Sequence, residues 1–105
     1  MSFRYTVTLT FNDHATAEEW LVWMCNEHAA QVVDAGALSA EIIKIDGELA
    51  RCEARYSFAS RTDFERYVRD HAPRLREEGL RHFSTSRGIQ YERSCGEVVA
   101  RMPLT

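Results

Sequence analysis

A chain of 105 residues is the length of one domain, and 45% hydrophobic with 28% charged residues is an ordinary globular composition. The net charge is −3, Lys44 is the only lysine, and Asp63, Glu65, Asp70, Glu77, Glu78 and Glu92 interleave with the arginines between Arg61 and Arg93. Such a surface pairs its own charges and has no basic stripe, which argues against a nucleic-acid partner; no apolar run approaches the roughly 18 residues of a membrane span, which argues against a membrane one.

Phe3, Tyr5, Val7, Leu9 and Phe11 alternate with Arg4, Thr6, Thr8 and Thr10, the period of a half-buried strand. Asn12-Asp13 breaks it, and Thr16 with Glu19 has capping-box spacing at a helix start. That helix is expected to run to about Asp34, with Gly36 as its C-terminal cap. A second strand is expected over 38–45, then a hairpin turn at Asp46-Gly47. The third strand puts Ala50, Cys52, Ala54, Tyr56 and Phe58 on one face and Arg51, Glu53, Arg55 and Ser57 on the other. Ser60 with Asp63 reads as the N-cap of a second helix, which ends near Asp70 and is interrupted at Pro73. A short helix with Leu75, Leu80 and Phe83 follows, then a fourth strand over 88–93. The tail, 94–105, carries Val98, Val99, Met102 and Leu104 and is expected to dock on the single domain that spans 1–105.

Two stretches echo each other. Leu21, Met24, Cys25 and His28 precede Ala29-Ala30, and Phe64, Tyr67, Val68 and His71 precede Ala72-Pro73, each histidine following an acid. The spacing i, i+3, i+4, i+7 is one stripe of a helix, with a histidine in each stripe. The order β-α-β-β-α-β with two similar halves predicts an α+β, ferredoxin-like domain: a four-stranded antiparallel sheet, right-handed crossovers and both helices on one face.

His28 and His71 are therefore expected to point at the sheet. Each is either a core histidine bonded to a backbone carbonyl, a strand threonine or Tyr56, or a base in a cleft between helix and sheet. The pseudo-two-fold of the repeat separates them, so a joint site is not expected. Cys25 and His28 lie one turn apart, but a structural zinc site wants four ligands, so no metal and no cofactor is expected. Neither a Gly-rich phosphate loop nor a G-x-S-x-G elbow occurs. The cysteines, Cys25, Cys52 and Cys95, form no C-x-x-C pair and fit a reducing compartment. With no apolar leader at the start, a cytoplasmic location is expected.

Trp20 lies at the flank of the first stripe and Trp23 roughly opposite it. An outward tryptophan is expected to be covered, by the tail or by a partner subunit. The open sheet face should carry Thr6, Thr8, Arg51, Glu53 and Arg55. Alternating Arg and Glu can pair with its own copy across a two-fold, so this face is the expected homodimer interface.

The motifs Trp20-Leu21-x-Trp23-Met24 with Glu27-His28, and Asp70-His71-Ala72-Pro73-x-Leu75-Arg76-Glu77 with Phe83, carry a resemblance over about 3–93. The chain resembles the dimeric α/β-barrel superfamily, and more specifically a bacterial family known as a domain of unknown function. It departs in having Ala29-Ala30 where an apolar residue and proline are expected. The resemblance implies the fold and a dimer, with the two sheets facing, and brings no assigned activity.

Three functions compete. The first is a non-catalytic or small-ligand-binding homodimer, favoured by the lack of a complete catalytic constellation. The second is a cofactor-free enzyme of oxygenase or isomerase type on a small organic molecule, with His28 or His71 as base and a tyrosine, Tyr56 being the candidate, or a threonine orienting the substrate; it rests on fold analogy. The third is a protein-interaction module using Trp23. A lined pocket beside a histidine would favour the enzyme, and an exposed Trp patch the module.

Overall fold

The computed structural model describes residues 2–103. Its four strands, β1 (Phe3–Phe11), β2 (Ser39–Ile45), β3 (Ala50–Phe58) and β4 (Ile89–Glu97), form one antiparallel sheet in the order β2-β3-β1-β4. This is the expected ferredoxin-like arrangement. On β3 every second residue is buried, from Ala50 to Phe58. One face of the sheet is therefore covered by helices, and the other carries Thr6, Thr8, Arg51, Glu53 and Arg55.

The first helical region is continuous but not uniform. It comprises α1 (His14–Trp23), a π-helical turn (Met24–His28) and α2 (Ala29–Asp34). Asp13, not Thr16, is its N-cap: the Asp13 carboxylate accepts from Thr16 N at 2.7 Å. Thr16 is the third helical residue because the aspartate in the breaking dipeptide caps earlier. At the other end Ala37 N donates to Val32 O and Gly36 N to Val33 O. These are the two bonds of a Schellman cap, and Gly36 supplies its positive φ of 134°.

The β2–β3 hairpin forms, but its tip is wider than a tight turn. Ile45 pairs with Arg51, and only Gly47, at φ 144°, has positive φ. Ser60 caps α3 (Arg61–Asp70) by accepting from Asp63 N at 3.1 Å. The chain breaks at His71 and resumes as α4 (Ala72–His82), with proline in its first turn, where its missing N–H costs nothing.

β4 runs on to Glu97, so 94–97 belong to the sheet rather than to a tail. Val98 N then donates to Ser2 O, whereas Val99 and Met102 stand 80% and 73% exposed on the single chain. The apolar end expected to dock therefore lies open here; Leu104 is outside the described residues.

The core is aromatic at one end. Phe64 packs on Phe3 at 5.0 Å and edge-on to Phe58 at 5.3 Å, and Tyr67 lies 5.2 Å from Phe58. Trp20, expected at a flank, is a core residue, 3% exposed and 6.0 Å from Phe11. The buried stripe of the first helix is Ala17, Trp20, Met24 and Val32. Leu21 is half-buried and Cys25 exposed. The π turn accounts for part of the difference. A wider turn inserts an extra residue into the ladder and rotates the helix beyond it, so a strict 3.6-residue wheel misplaces those positions.

Candidate functional site

A cavity of about 60 Å³ lies between the inner sheet face and the helices. Its floor is built by strand alternation: Tyr5, Val7 and Leu9 from β1, Ala54 and Tyr56 from β3, Tyr91 and Arg93 from β4. Trp20, Trp23, Met24 and His28 come from α1 and the π turn. Tyr67 of α3 and Leu75, Arg76 and Gly79 of α4 close the remaining side. The lining is apolar in its interior and carries polar groups at defined points, the usual character of a small-molecule site.

His28 stacks on Trp23, ring centroids 4.4 Å apart and planes 20° apart. Trp23 also meets His82 at 5.4 Å and Phe83 at 5.3 Å, so α4 and its C-terminal end cover it. The outward placement expected for Trp23 fails because its ring, at the end of α1, reaches across to Gly79, His82 and Phe83. His28 is half-buried. Burial lowers its pKa below the ordinary value near 6.5, against a smaller upward pull from Glu78. The shift favours the neutral imidazole, and the Gln31 side chain also reaches the ring. Its Nδ1, the Trp23 Nε1 and the Arg76 Nε are buried without a hydrogen-bond partner.

The strand register builds a second feature. Tyr5 pairs with Cys95 and Val7 with Arg93, so Arg93 is the diagonal neighbour of Tyr5 on the inner face. Arg93 Nε donates to the Tyr5 hydroxyl at 3.1 Å, and Arg76 Nη2 donates to the same oxygen at 3.4 Å. Among the described residues neither guanidinium forms a salt bridge. Tyr56 and Tyr67 keep their protons: burial raises the Tyr56 pKa strongly and takes that of Tyr67 to about 12. Tyr56 can therefore donate a hydrogen bond but makes a poor base.

His28 and Tyr56 thus share the cavity. His71 does not line it. His71 sits at the α3–α4 break, half-buried, with Nδ1 3.0 Å from Arg74 Nη2. The expectation that both histidines occupy the centre of a buried stripe fails for His71, because the chain leaves helical geometry there (φ −129°) and Ala72 takes the core position instead. Among the described residues no group of three or more His, Cys, Asp or Glu is arranged to hold a metal ion. Thr6, Thr8, Arg51, Glu53 and Arg55 lie together on the outer sheet face, away from the cavity. There Glu53 accepts from Arg55 Nε at 2.9 Å and from Thr8 Oγ1 at 3.3 Å. Sequence reading passed over Tyr5, Arg76 and Arg93 as site residues. The signal was present in Ile89-x-Tyr91-x-Arg93, whose period of two carries an arginine onto the inner face.

Several solved structures share the fold. A dimeric ferredoxin-like protein from an uncultured marine organism superposes with a TM-score of 0.70 at 17% identity, over 96% of this chain and 98% of its own. SnoaB from Streptomyces nogalater, a cofactor-independent oxygenase, gives 0.66 at 13% identity over 97% of each chain. A Deinococcus radiodurans protein provisionally called an antibiotic biosynthesis monooxygenase gives 0.70 at 10% identity, over 100% of this chain and 99% of its own. Identities this low carry the fold alone. No curated protein matches the sequence. Residues 2–90 match a family defined as a domain of unknown function, DUF4286, and the chain belongs to that family.

Proposed function

We propose that the protein is a homodimer that binds a small organic molecule in the cavity between its helices and the inner face of its sheet. The carrying observation is the set of three buried polar atoms without partners, His28 Nδ1, Trp23 Nε1 and Arg76 Nε, on residues that line one cavity. An unsatisfied buried donor or acceptor costs roughly 1–3 kcal/mol. Three around a single space are a liability for a purely structural core and an asset for a site whose ligand supplies the missing partners. The dimer reading is supported by the polar outer sheet face and by the dimeric ferredoxin-like relative.

The test is a fluorescence titration of Trp20 and Trp23 with small neutral and charged organic molecules. A saturable response is expected in the native protein and its loss in Gly79→Leu, which puts a branched side chain beside the Trp23 ring. A response that persists undiminished in Gly79→Leu places binding elsewhere and overturns the reading.

A second reading uses the same cavity for cofactor-free chemistry, an oxygenation or isomerisation begun by proton abstraction. Burial of the His28 imidazole favours it, since it shifts the ring toward the unprotonated form that a base needs. The likeness in fold to SnoaB, a cofactor-independent oxygenase, adds an analogy to it. Catalysed exchange of an acidic C–H of a bound molecule with D2O, lost in His28→Gln at saturating concentrations of that molecule, would establish it. Exchange at the same rate in both proteins would remove His28 from that role.

A further inference from the structure

The Tyr5 hydroxyl is where two guanidiniums meet, and neither meets a carboxylate there. Arg76 reaches it from α4 and Arg93 from β4, at 3.4 and 3.1 Å. Each guanidinium has five N–H donors, and Arg76 and Arg93 each direct one of them at this neutral oxygen. The Arg76 Nε is buried without an acceptor. Two like charges drawn to one uncharged oxygen, at the rim of a cavity, are an arrangement that an added anion relieves. The phenol oxygen accepts from both arginines, and a phenol O–H is a donor as well.

We propose that Arg76, Arg93 and the Tyr5 hydroxyl recognise the carboxylate of a short-chain organic acid, whose apolar end occupies the cavity against Trp23 and Met24. This rests on the reading of the cavity as a ligand site and names the class of its ligand. Planar guanidinium forks match a planar carboxylate and form short, charge-assisted bonds with it. The only glycine lining the cavity is Gly79, in the middle of α4, so no glycine-rich loop offers the backbone cradle typical of phosphate sites. Size sets the body of the ligand. A cavity of about 60 Å³ is far below the roughly 300–1,000 Å³ of pockets for drug-sized ligands, so the apolar part is a few carbons long.

The experiment follows the two tryptophan indole N–H signals of the ¹⁵N-labelled full chain by NMR, assigned with Trp23→Phe, during titration with propionate or with propionamide at pH 7. Propionate is expected to move the Trp23 signal saturably, and propionamide to bind at least tenfold more weakly. Arg76→Gln and Arg93→Gln should each weaken propionate by roughly ten- to a hundredfold, the range for one lost charged hydrogen bond, and weaken the uncharged propionamide by far less. Tyr5→Phe keeps the ring packing and serves in place of an arginine variant that fails to fold; it should weaken propionate more than propionamide. Propionamide binding as tightly as propionate, or propionate binding equally to the parent and to the folded variants, overturns the inference and leaves the cavity reading standing. If neither compound moves the signal, and neither butyrate nor butyramide does, both the inference and the cavity reading fall.

Discussion

Burial of the His28 imidazole against Trp23 makes the folded protein a poorer proton acceptor at that ring than the unfolded chain. The unfolded ring titrates near 6.5 and the folded one lower. Between those two values the unfolded state holds more protons, so stability rises with pH. The stability linked to His28 is complete above about 6.5, begins to fall as the pH drops below that value, and is fully lost once the pH passes below the folded value. Urea midpoints measured at pH 7.5 and 5.5 should therefore differ less in His28→Gln than in the parent. Equal pH dependence in the two proteins would contradict the burial. Gly79 offers a complementary split. A Cβ there would lie 3.8 Å from the Trp23 ring, an ordinary contact. Gly79→Ala should raise stability by about 0.5–1 kcal/mol through helix propensity, while the methyl narrows the cavity and weakens ligand binding. A variant that is stabilised and binds as well as the parent would show that Gly79 does not border the ligand. At this scale the sequence was partly legible. It marked His28 as a residue turned toward the sheet, but helix spacing alone could not show that His71 falls at a helix break. Nor could it reveal Tyr5, Arg76 and Arg93 as a cluster, because their meeting depends on the β1–β4 register.

Helix and strand boundaries obey local chemistry where that chemistry is short-ranged. Ser60, Gly36 and Gly47 do what their residue types predict. The π turn at Met24–His28 has no such local signal, and it separates the observed buried stripe from the expected one. Its first and last residues, Met24 and His28, both line the cavity. π turns recur at functional sites because they re-aim side chains at a cost in helical stability. Two substitutions test the element ends. Ser60→Ala removes the acceptor for Asp63 N and should destabilise the fold by about 1 kcal/mol. Gly88 is more demanding. It sits at φ 80° before β4, and a Cβ on it would collide with the Asn12 side chain. Gly88→Ala should cost more than the roughly 1–2 kcal/mol of the left-handed conformation alone. The double variant with Asn12→Gly should recover the steric part. Denaturant midpoints check both, and a Gly88→Ala protein as stable as the parent would mean that the Asn12–Gly88 corner is not held as described.

The whole domain is covered on one side of its sheet and open on the other, which leaves the outer face as the place for a second copy. Glu53 is central to it. It pairs with Thr8 on β1 and stands beside Ile43 on β2, with Arg51 and Arg55 two residues away on either side. Both carboxylate oxygens are already engaged, Oε1 by Arg55 and Oε2 by Thr8, on a side chain only 18% exposed. On a solvated face such a network contributes little, because water screens it. Covered by a two-fold copy, the same charges lose water, and each must keep its partner or impose the large penalty of an unpaired buried charge. Assembly should therefore depend sharply on this one residue. The native protein is expected to sediment at twice its 12.1 kDa chain mass at micromolar concentration. Glu53→Arg places three guanidiniums in a row on β3 and, with its copy, six across the two-fold, so it should sediment as monomer. Glu53→Gln keeps the shape and the bond to Thr8 but removes the charge, and should weaken the dimer without abolishing it. Circular dichroism of the Glu53→Arg protein should remain native, since residue 53 lies on the face away from the core. A native protein that sediments as monomer would refute the facing-sheet dimer. A Glu53→Arg protein that remains fully dimeric would place the interface elsewhere on the molecule.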